Sequence, residues 1–238
     1  MIDPGPLPAA TAIGVDVVDC RDPRVLRGLP KDRTVERVLS ASEAARLAAS
    51  GDPVRDFWLH WGAKEAAFKA VTLLRGAPPV FAHAAFEVDL DTERVRYGEI
   101  ELALTVHATA ERLVVVARSA EAAEHPTWAA GTVEALHRGV GGLDVDRLRE
   151  GSFSAEERDA VRGLPSALVR LAVRSEAAHC LGVEERRLQV VCPPGPTGRR
   201  PPYLHLDGAP STDIGISISH DGDWLAWAVS VSGSAGGS

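Results

Sequence analysis

The chain writes the same order of elements twice, and this repeat constrains its fold more than any other feature. Thr11–Val18 (TAIGVDVV) reads as a buried strand, rich in β-branched residues and interrupted by one acid, Asp16. Polar, proline-broken residues 20–33 follow. Then comes a short helix opened by the capping box Ser40-x-x-Glu43, and a long helix ended by Gly76 and Pro78-Pro79. Phe86–Leu90, Val95–Tyr97, Glu101–His107 and Leu113–Ala117 read as a strand meander. From Gly141 the plan starts again, with a second capping box (Ser154, Glu157), a helix over Leu168–Leu181 and strands over Tyr203–Leu206, Ile214–Ser219 and Trp224–Val229.

Local sequence echoes accompany the repeated plan. Gly142–Asp146 echoes Gly14–Val18, Arg174–Ala178 echoes Ala63–Ala67, and Ile216–His220 echoes Ala103–His107, at separations of 128, 111 and 113 residues. The unequal separations call for one extra segment of roughly 17 residues in the first helical region. The expected fold class is α+β: two similar halves, each a small antiparallel sheet packed on a long helix. The expected boundaries are 1–119 for the first half, 120–140 for a connector with some helix, and 141–231 for the second half. A linker-like, disordered tail (SGSAGGS) is expected over 232–238.

Composition narrows the function. A net charge of −7 argues against a general nucleic-acid binder. No apolar run reaches the ~18–20 residues of a membrane span, and Met1–Ala12 lacks the basic-then-apolar pattern of a secretory signal. Three cysteines without Cys-x-x-Cys spacing fit neither a disulfide framework nor a zinc site, and suit a reducing cytoplasm. Residues 21–37 hold six basic side chains against three acids, a patch that either faces an acidic partner or is simply solvated.

The long helix carries the chemistry. Within Phe57–Ala70, Trp58, Trp61, Glu65 and Phe68 recur at helical spacing, so Glu65 lies on or near an apolar face where a carboxylate needs a cation or donors. Lys69 follows one turn later, which suits either a shared site or an ordinary surface Glu–Lys pair. If the strand of Asp16 packs on this helix, two carboxylates meet and need a cation between them. Mg²⁺ suits hard oxygen donors, and Lys64 and Lys69 would then face phosphate. Ser219, His220 and Asp221 are consecutive, which is wrong for a hydrolytic triad. They suit either a phosphate-binding loop end or a plain Asp-Gly turn.

Gly14–Asp19, Trp61-Gly62-Ala63-Lys64-Glu65-Ala66-x-x-Lys69-Ala70 and Ile216–Asp221 together resemble the three signatures of the 4′-phosphopantetheinyl transferase superfamily. Glu36–Ser40 and Phe86–Val88 resemble its small holo-acyl-carrier-protein synthase branch. The resemblance implies transfer of phosphopantetheine from coenzyme A to a serine of an apo carrier protein, releasing adenosine 3′,5′-bisphosphate. It implies Asp16 and Glu65 as Mg²⁺ ligands, Glu65 as proton acceptor, Lys64 and Lys69 beside the phosphates, and Ser219 and His220 as coenzyme-binding residues. Asp19 matches an acidic position of the small branch, or caps the segment that follows. The Gly198–Pro202 loop resembles the family's Gly-Lys-Pro loop.

The length and duplication are those of the large, monomeric branch, a pseudo-twofold pair of halves, but with the motif order inverted. The first half carries the acids and lysines, and the second carries Ser219-His220. One site is expected across the interface of the halves. The other half-interface, around Asp144, Glu176 and His107, is expected to be a relic. The alternatives are a catalytically silent relative that binds coenzyme A or a carrier protein, and an unrelated Mg²⁺-dependent phosphohydrolase. The carrier itself, from fatty-acid, polyketide or peptide synthesis, is left open.

Overall fold

The computed structural model describes residues 11–79, 82–119, 126–195 and 198–232. Most of Met1–Ala12 and of the expected tail 232–238 lies outside the described residues.

Strand β1 (Ile13–Asp19) is followed by helices α1 (Pro23–Leu26), α2 (Asp32–Val38), α3 (Ala41–Ala48) and α4 (Pro53–Arg75). Pro53 at its first turn, Asp52 accepting from Arg55 N–H and the left-handed Gly76 bound α4, as sequence punctuation predicts. A 3₁₀ turn (His83–Ala85) leads to β2 (Glu87–Asp89), β3 (Arg94–Tyr97), β4 (Ile100–Ala108) and β5 (Arg112–Ser119). These strands form an antiparallel sheet in the order β1-β5-β4-β3-β2, which leaves β1 at one edge.

The second half opens with β6 (Thr127–Thr132), α5 (Val133–Gly139), α6 (Val145–Ser152), α7 (Ala155–Arg158) and α8 (Leu164–Leu181). After a 3₁₀ turn come β7 (Leu188–Val191), the short pair β8 (Pro194–Gly195) and β9 (Gly198–Arg199), β10 (Tyr203–Leu206), β11 (Ala209–Pro210), β12 (Ile214–Asp221) and β13 (Trp224–Val231). The order β12-β13-β6 forms one sheet and β11-β10-β7 another. The chain is therefore α+β, with antiparallel sheets packed on α4 and α8. No described helix is long and apolar enough to cross a membrane.

Two expectations change here. Residues 127–139, expected within a connector, hold β6 and α5, and β6 pairs with β13 along its whole length. The echo through Asp144 also fails: Asp144 is not on a strand but caps α6, accepting from Arg147 N–H at 2.9 Å. The strand that repeats β1 is β6. His107 pairs with Val114, which pairs with Val17; His220 pairs with Leu225, which pairs with Gly131. Asp16 therefore corresponds to Ala130. Strands β1 and β6 are then about as far apart in sequence as the other two echoes, and no extra segment is needed.

Close approach at two glycines builds the framework of the site. A Cβ on Gly14 would lie 1.9 Å from the Ala66 carbonyl oxygen, so only glycine lets β1 settle this tightly on α4. A Cβ on Gly215 would lie 1.7 Å from the Thr11 carbonyl oxygen, so β12 reaches the free edge of β1 by the same means. Alternation does the rest. Ile13, Val15 and Val17 point into an apolar layer with Val114, Val116, Trp224, Ala226 and Ala228, which joins the halves. The intervening positions of β1, Asp16 among them, face α4.

Candidate active site

β1 is an edge strand, and its exposed peptide groups must find partners. Val15 N–H donates to Ser217 Oγ at 2.9 Å, and Lys69 Nζ donates to the Val15 carbonyl oxygen at 2.7 Å. One residue along, Asp16 Oδ1 accepts from Lys69 Nζ at 3.0 Å and from Ser219 Oγ at 2.8 Å. Strand β1, helix α4 and strand β12 thus meet at a single buried carboxylate. Burial pushes the Asp16 carboxyl above the usual range, Lys69 and Ser219 oppose this, and the nearby Glu65 carboxylate adds to it.

Glu65 is held from the other side. Its Oε1 lies 3.2 Å from His83 Nε2, and the His83 ring lies against Trp61 with centroids 4.6 Å apart. Two carboxylates and one ammonium leave a negative charge uncompensated. Asp16 and Glu65 are hard oxygen donors, and among the described residues no third His, Cys, Asp or Glu completes a metal-binding group around them. This donor set fits a divalent cation of the Mg²⁺ type, which keeps most of its positions for water and phosphate oxygens.

Lys69, Ser219 and His220 line an open pocket of about 730 Å³ shared by the two halves, together with Arg162, Arg170 and Arg200. His220 is exposed at its wall. Partial desolvation and the cations of Lys69 and Arg170 hold its imidazole below the ordinary histidine range, which leaves it neutral at neutral pH. Arg170 is anchored by Ser166, whose Oγ accepts from Nη1 at 2.6 Å, and it also donates to Cys192 Sγ at 3.3 Å. Four cations around one pocket, on a chain of net charge −7, suit a polyanion.

Lys64 corrects the expectation that it faces phosphate. It is wholly buried, and its three N–H groups are used within the fold: Glu43 Oε2 at 2.7 Å, the Phe86 carbonyl oxygen at 2.6 Å and the His83 carbonyl oxygen at 3.2 Å. An ammonium has three donors, so none is left for a ligand. The Glu65–Lys69 pairing that spacing allows is replaced by the separate partners Asp16 and His83. Arg162 and Arg170 are additions that sequence reasoning missed. The one available signal was Arg170 itself, a charge amid Leu168, Val169 and Val173 on a buried helix face.

Asp19 caps the turn that follows it, its Oδ1 accepting from Arg21 N–H at 2.9 Å, while Asp22 caps α1 by accepting from Arg24 N–H. Asp19 also clamps the halves together: its N–H donates to Asp221 Oδ2 at 2.8 Å, and its Oδ2 accepts from Asp223 N–H at 3.2 Å. Burial opposes the charge of Asp19, but the N–H groups of Arg21 and Asp223 outweigh it and hold the carboxyl below the usual range.

At the second half-interface Ala130 stands for Asp16 and, by the same register, Val106 stands for Ser219. The carboxylate of Asp16 and the hydroxyl of Ser219 have no counterpart there, although Glu176 echoes Glu65.

The fold is α+β, and a cation-lined pocket shared by the two halves lies beside the buried Asp16 that Lys69 and Ser219 hold. Residues 12–124, just under half of the chain, match the family model described as the 4′-phosphopantetheinyl transferase superfamily. Among solved structures, the chain is similar to a holo-[acyl-carrier-protein] synthase from Neisseria meningitidis, at 22% identity and TM-score 0.37 over 45% of this chain and 98% of that one. It is also similar to the holo-[acyl-carrier-protein] synthase of Thermotoga maritima, at 16% identity and TM-score 0.35 over 61% and 79% respectively. No curated protein matches the chain at a significant level.

Proposed function

We propose that the protein transfers 4′-phosphopantetheine from coenzyme A to a serine of an apo carrier protein, releasing adenosine 3′,5′-bisphosphate. The observation that carries this reading is the convergence of Asp16, Glu65 and Lys69 from one half with Ser219 and His220 from the other, beside an arginine-lined pocket. In the reaction the carrier serine oxygen bonds to the β-phosphorus of coenzyme A. The bond to the bridging phosphoanhydride oxygen breaks, and the charge leaves with the nucleotide. Glu65, directly or through a water, accepts the serine proton. Lys69 and His220 hold the phosphates, Ser219 donates its one O–H to Asp16 and so fixes that carboxylate at the edge of the pocket, and the arginines bind the anionic nucleotide end. Asp16 and Glu65 would hold Mg²⁺, which supplies charge neutralisation at the pyrophosphate.

The partner is an acidic carrier. Arg27, Lys31, Arg33 and Arg37 are exposed on the segment that carries the 72% exposed Leu26 and the 42% exposed Leu29, and α2 of this segment touches the turn of His83, which makes it our candidate docking face. With its two halves in one chain, we read the protein as a monomer with one working site. We place it in the cytoplasm, a reading that rests on three cysteines without the spacing of a disulfide framework or a zinc site.

The test is to incubate the protein with coenzyme A, Mg²⁺ and an apo carrier, and then weigh the carrier. A gain of one phosphopantetheine supports the reading. Coenzyme binding with no gain favours a silent relative, and coenzyme breakdown without transfer favours a phosphohydrolase.

A further inference from the structure

The route from the Lys-Glu pair to the site runs through a residue outside every motif. His83 lies in the 3₁₀ turn His83–Ala85, on a loop that shares no element with Asp16, Glu65 or Ser219. Its backbone is fixed by Lys64, whose Nζ donates to the His83 carbonyl oxygen at 3.2 Å and to the Phe86 carbonyl oxygen at 2.6 Å, one at each end of the turn. Lys64 is itself anchored on Glu43 at 2.7 Å. The His83 ring is fixed by Trp61, one helical turn before Glu65. What these contacts hold in place is Nε2, 3.2 Å from Glu65 Oε1. A carboxylate accepts, so the tautomer with hydrogen on Nε2 is the one that bonds.

We propose that His83 is a positioning residue for Glu65: it holds Oε1 and so leaves Oε2 directed to the cation and the carrier serine. The proposal rests on the reading of Glu65 given above. It also gives Lys64 a part in the reaction without contact to phosphate, because Lys64 builds the turn that carries His83. A carboxylate that binds a cation depends on the hydrogen bond behind it, and losing such a partner commonly costs about 10–100-fold in metal affinity or activity. An untethered Glu65 has further rotamers to lose on binding, which adds to that cost.

The experiment compares His83→Phe, which keeps a ring against Trp61 and removes the donor, with His83→Gln, which returns an N–H donor at similar reach. Three quantities are measured for each: Mn²⁺ affinity, from the electron paramagnetic resonance signal of free Mn²⁺ in the presence of coenzyme A; kcat and KM for carrier modification; and Tm. We expect His83→Phe to weaken Mn²⁺ binding and lower kcat by about 10–100-fold, with little change in Tm or in KM for coenzyme A. His83→Gln should recover most of both losses. Wild-type Mn²⁺ affinity and kcat in His83→Phe would overturn the proposal. Equal losses in both variants accompanied by a matching fall in Tm would also overturn it, because the histidine would then be structural only. Wild-type protein that binds Mn²⁺ but never modifies a carrier would count against the proposed transferase, while the Mn²⁺ comparison would still decide the role of His83.

Discussion

Replacing Lys64 by methionine separates a folding role from a phosphate-binding one. The side chain is fully buried and ends in three hydrogen bonds, one of them to the equally buried Glu43. Methionine fills much of the same volume but supplies no charge and no donor. Glu43 would keep only the N–H groups of Ser40 and Val88, and two carbonyl oxygens would lose a partner. Breaking a buried ion pair from one side costs about 3–5 kcal/mol. At this chain length each kcal/mol moves Tm by about 2–4 °C, so a fall of roughly 6–20 °C is expected by calorimetry at neutral pH.

The dependence on pH has a definite sign. Burial opposes the charge on Glu43, but Lys64 and the two N–H groups outweigh it and hold the carboxyl below its ordinary value of 4.5. The stability this carboxyl contributes is complete above 4.5 and is lost as pH falls through the lower folded value. The gap between wild type and Lys64→Met should therefore narrow in acid, as Glu43 takes up its proton. Adding Glu43→Gln should restore part of the loss at neutral pH. An unchanged Tm together with a raised KM for coenzyme A would refute the reasoning and return Lys64 to the phosphates.

Other residues give separate tests. Glu65→Gln should leave Tm near wild type and reduce carrier modification by about 10²–10⁴-fold in a mass-spectrometric time course. Near-normal turnover would remove Glu65 from the mechanism. Gly215→Ala places a methyl 1.7 Å from a backbone oxygen at the junction of the halves, where no side chain can yield. It should lower stability by about 1–3 kcal/mol or more in denaturant melts. Arg162→Ala, at an exposed edge of the pocket, should raise KM for coenzyme A by about 10–100-fold through loss of charge-assisted hydrogen bonds, with Tm unchanged. An unaltered KM would place the nucleotide elsewhere.

Much of this arrangement is legible in the residues alone, because its determinants are local. The capping boxes Ser40–Glu43 and Ser154–Glu157, the glycine stop after α4 and the alternating sequences of β4 and β12 each follow from neighbours within a few positions. Asp16 is conspicuous as a charge in an apolar strand that needs a cation or donors, but nothing local says that Lys69 and Ser219 supply them. What escaped the sequence depends on distant contacts. Glu43 is visible as a capping residue, but nothing local says that its carboxylate also receives Lys64 and Val88 N–H, respectively 21 and 45 residues away. Lys64 was misplaced for that reason.

Asp144 misled because the eye follows acids. The true counterpart of Asp16 is Ala130, which has lost the charge that would mark it, in an alanine-rich stretch that reads as connector. His83 and Arg162 belong to no periodic pattern. Only the folded chain brings them to Glu65 and to the pocket.

The central claim is that one working site lies where the two halves meet. A crystal structure of the protein with coenzyme A tests it most directly. The account predicts the pyrophosphate between Lys69, Ser219 and His220, with the nucleotide end among Arg162, Arg170 and Arg200. Coenzyme A seated beside Ala130 and Val106, or in any pocket lined by one half alone, would contradict it.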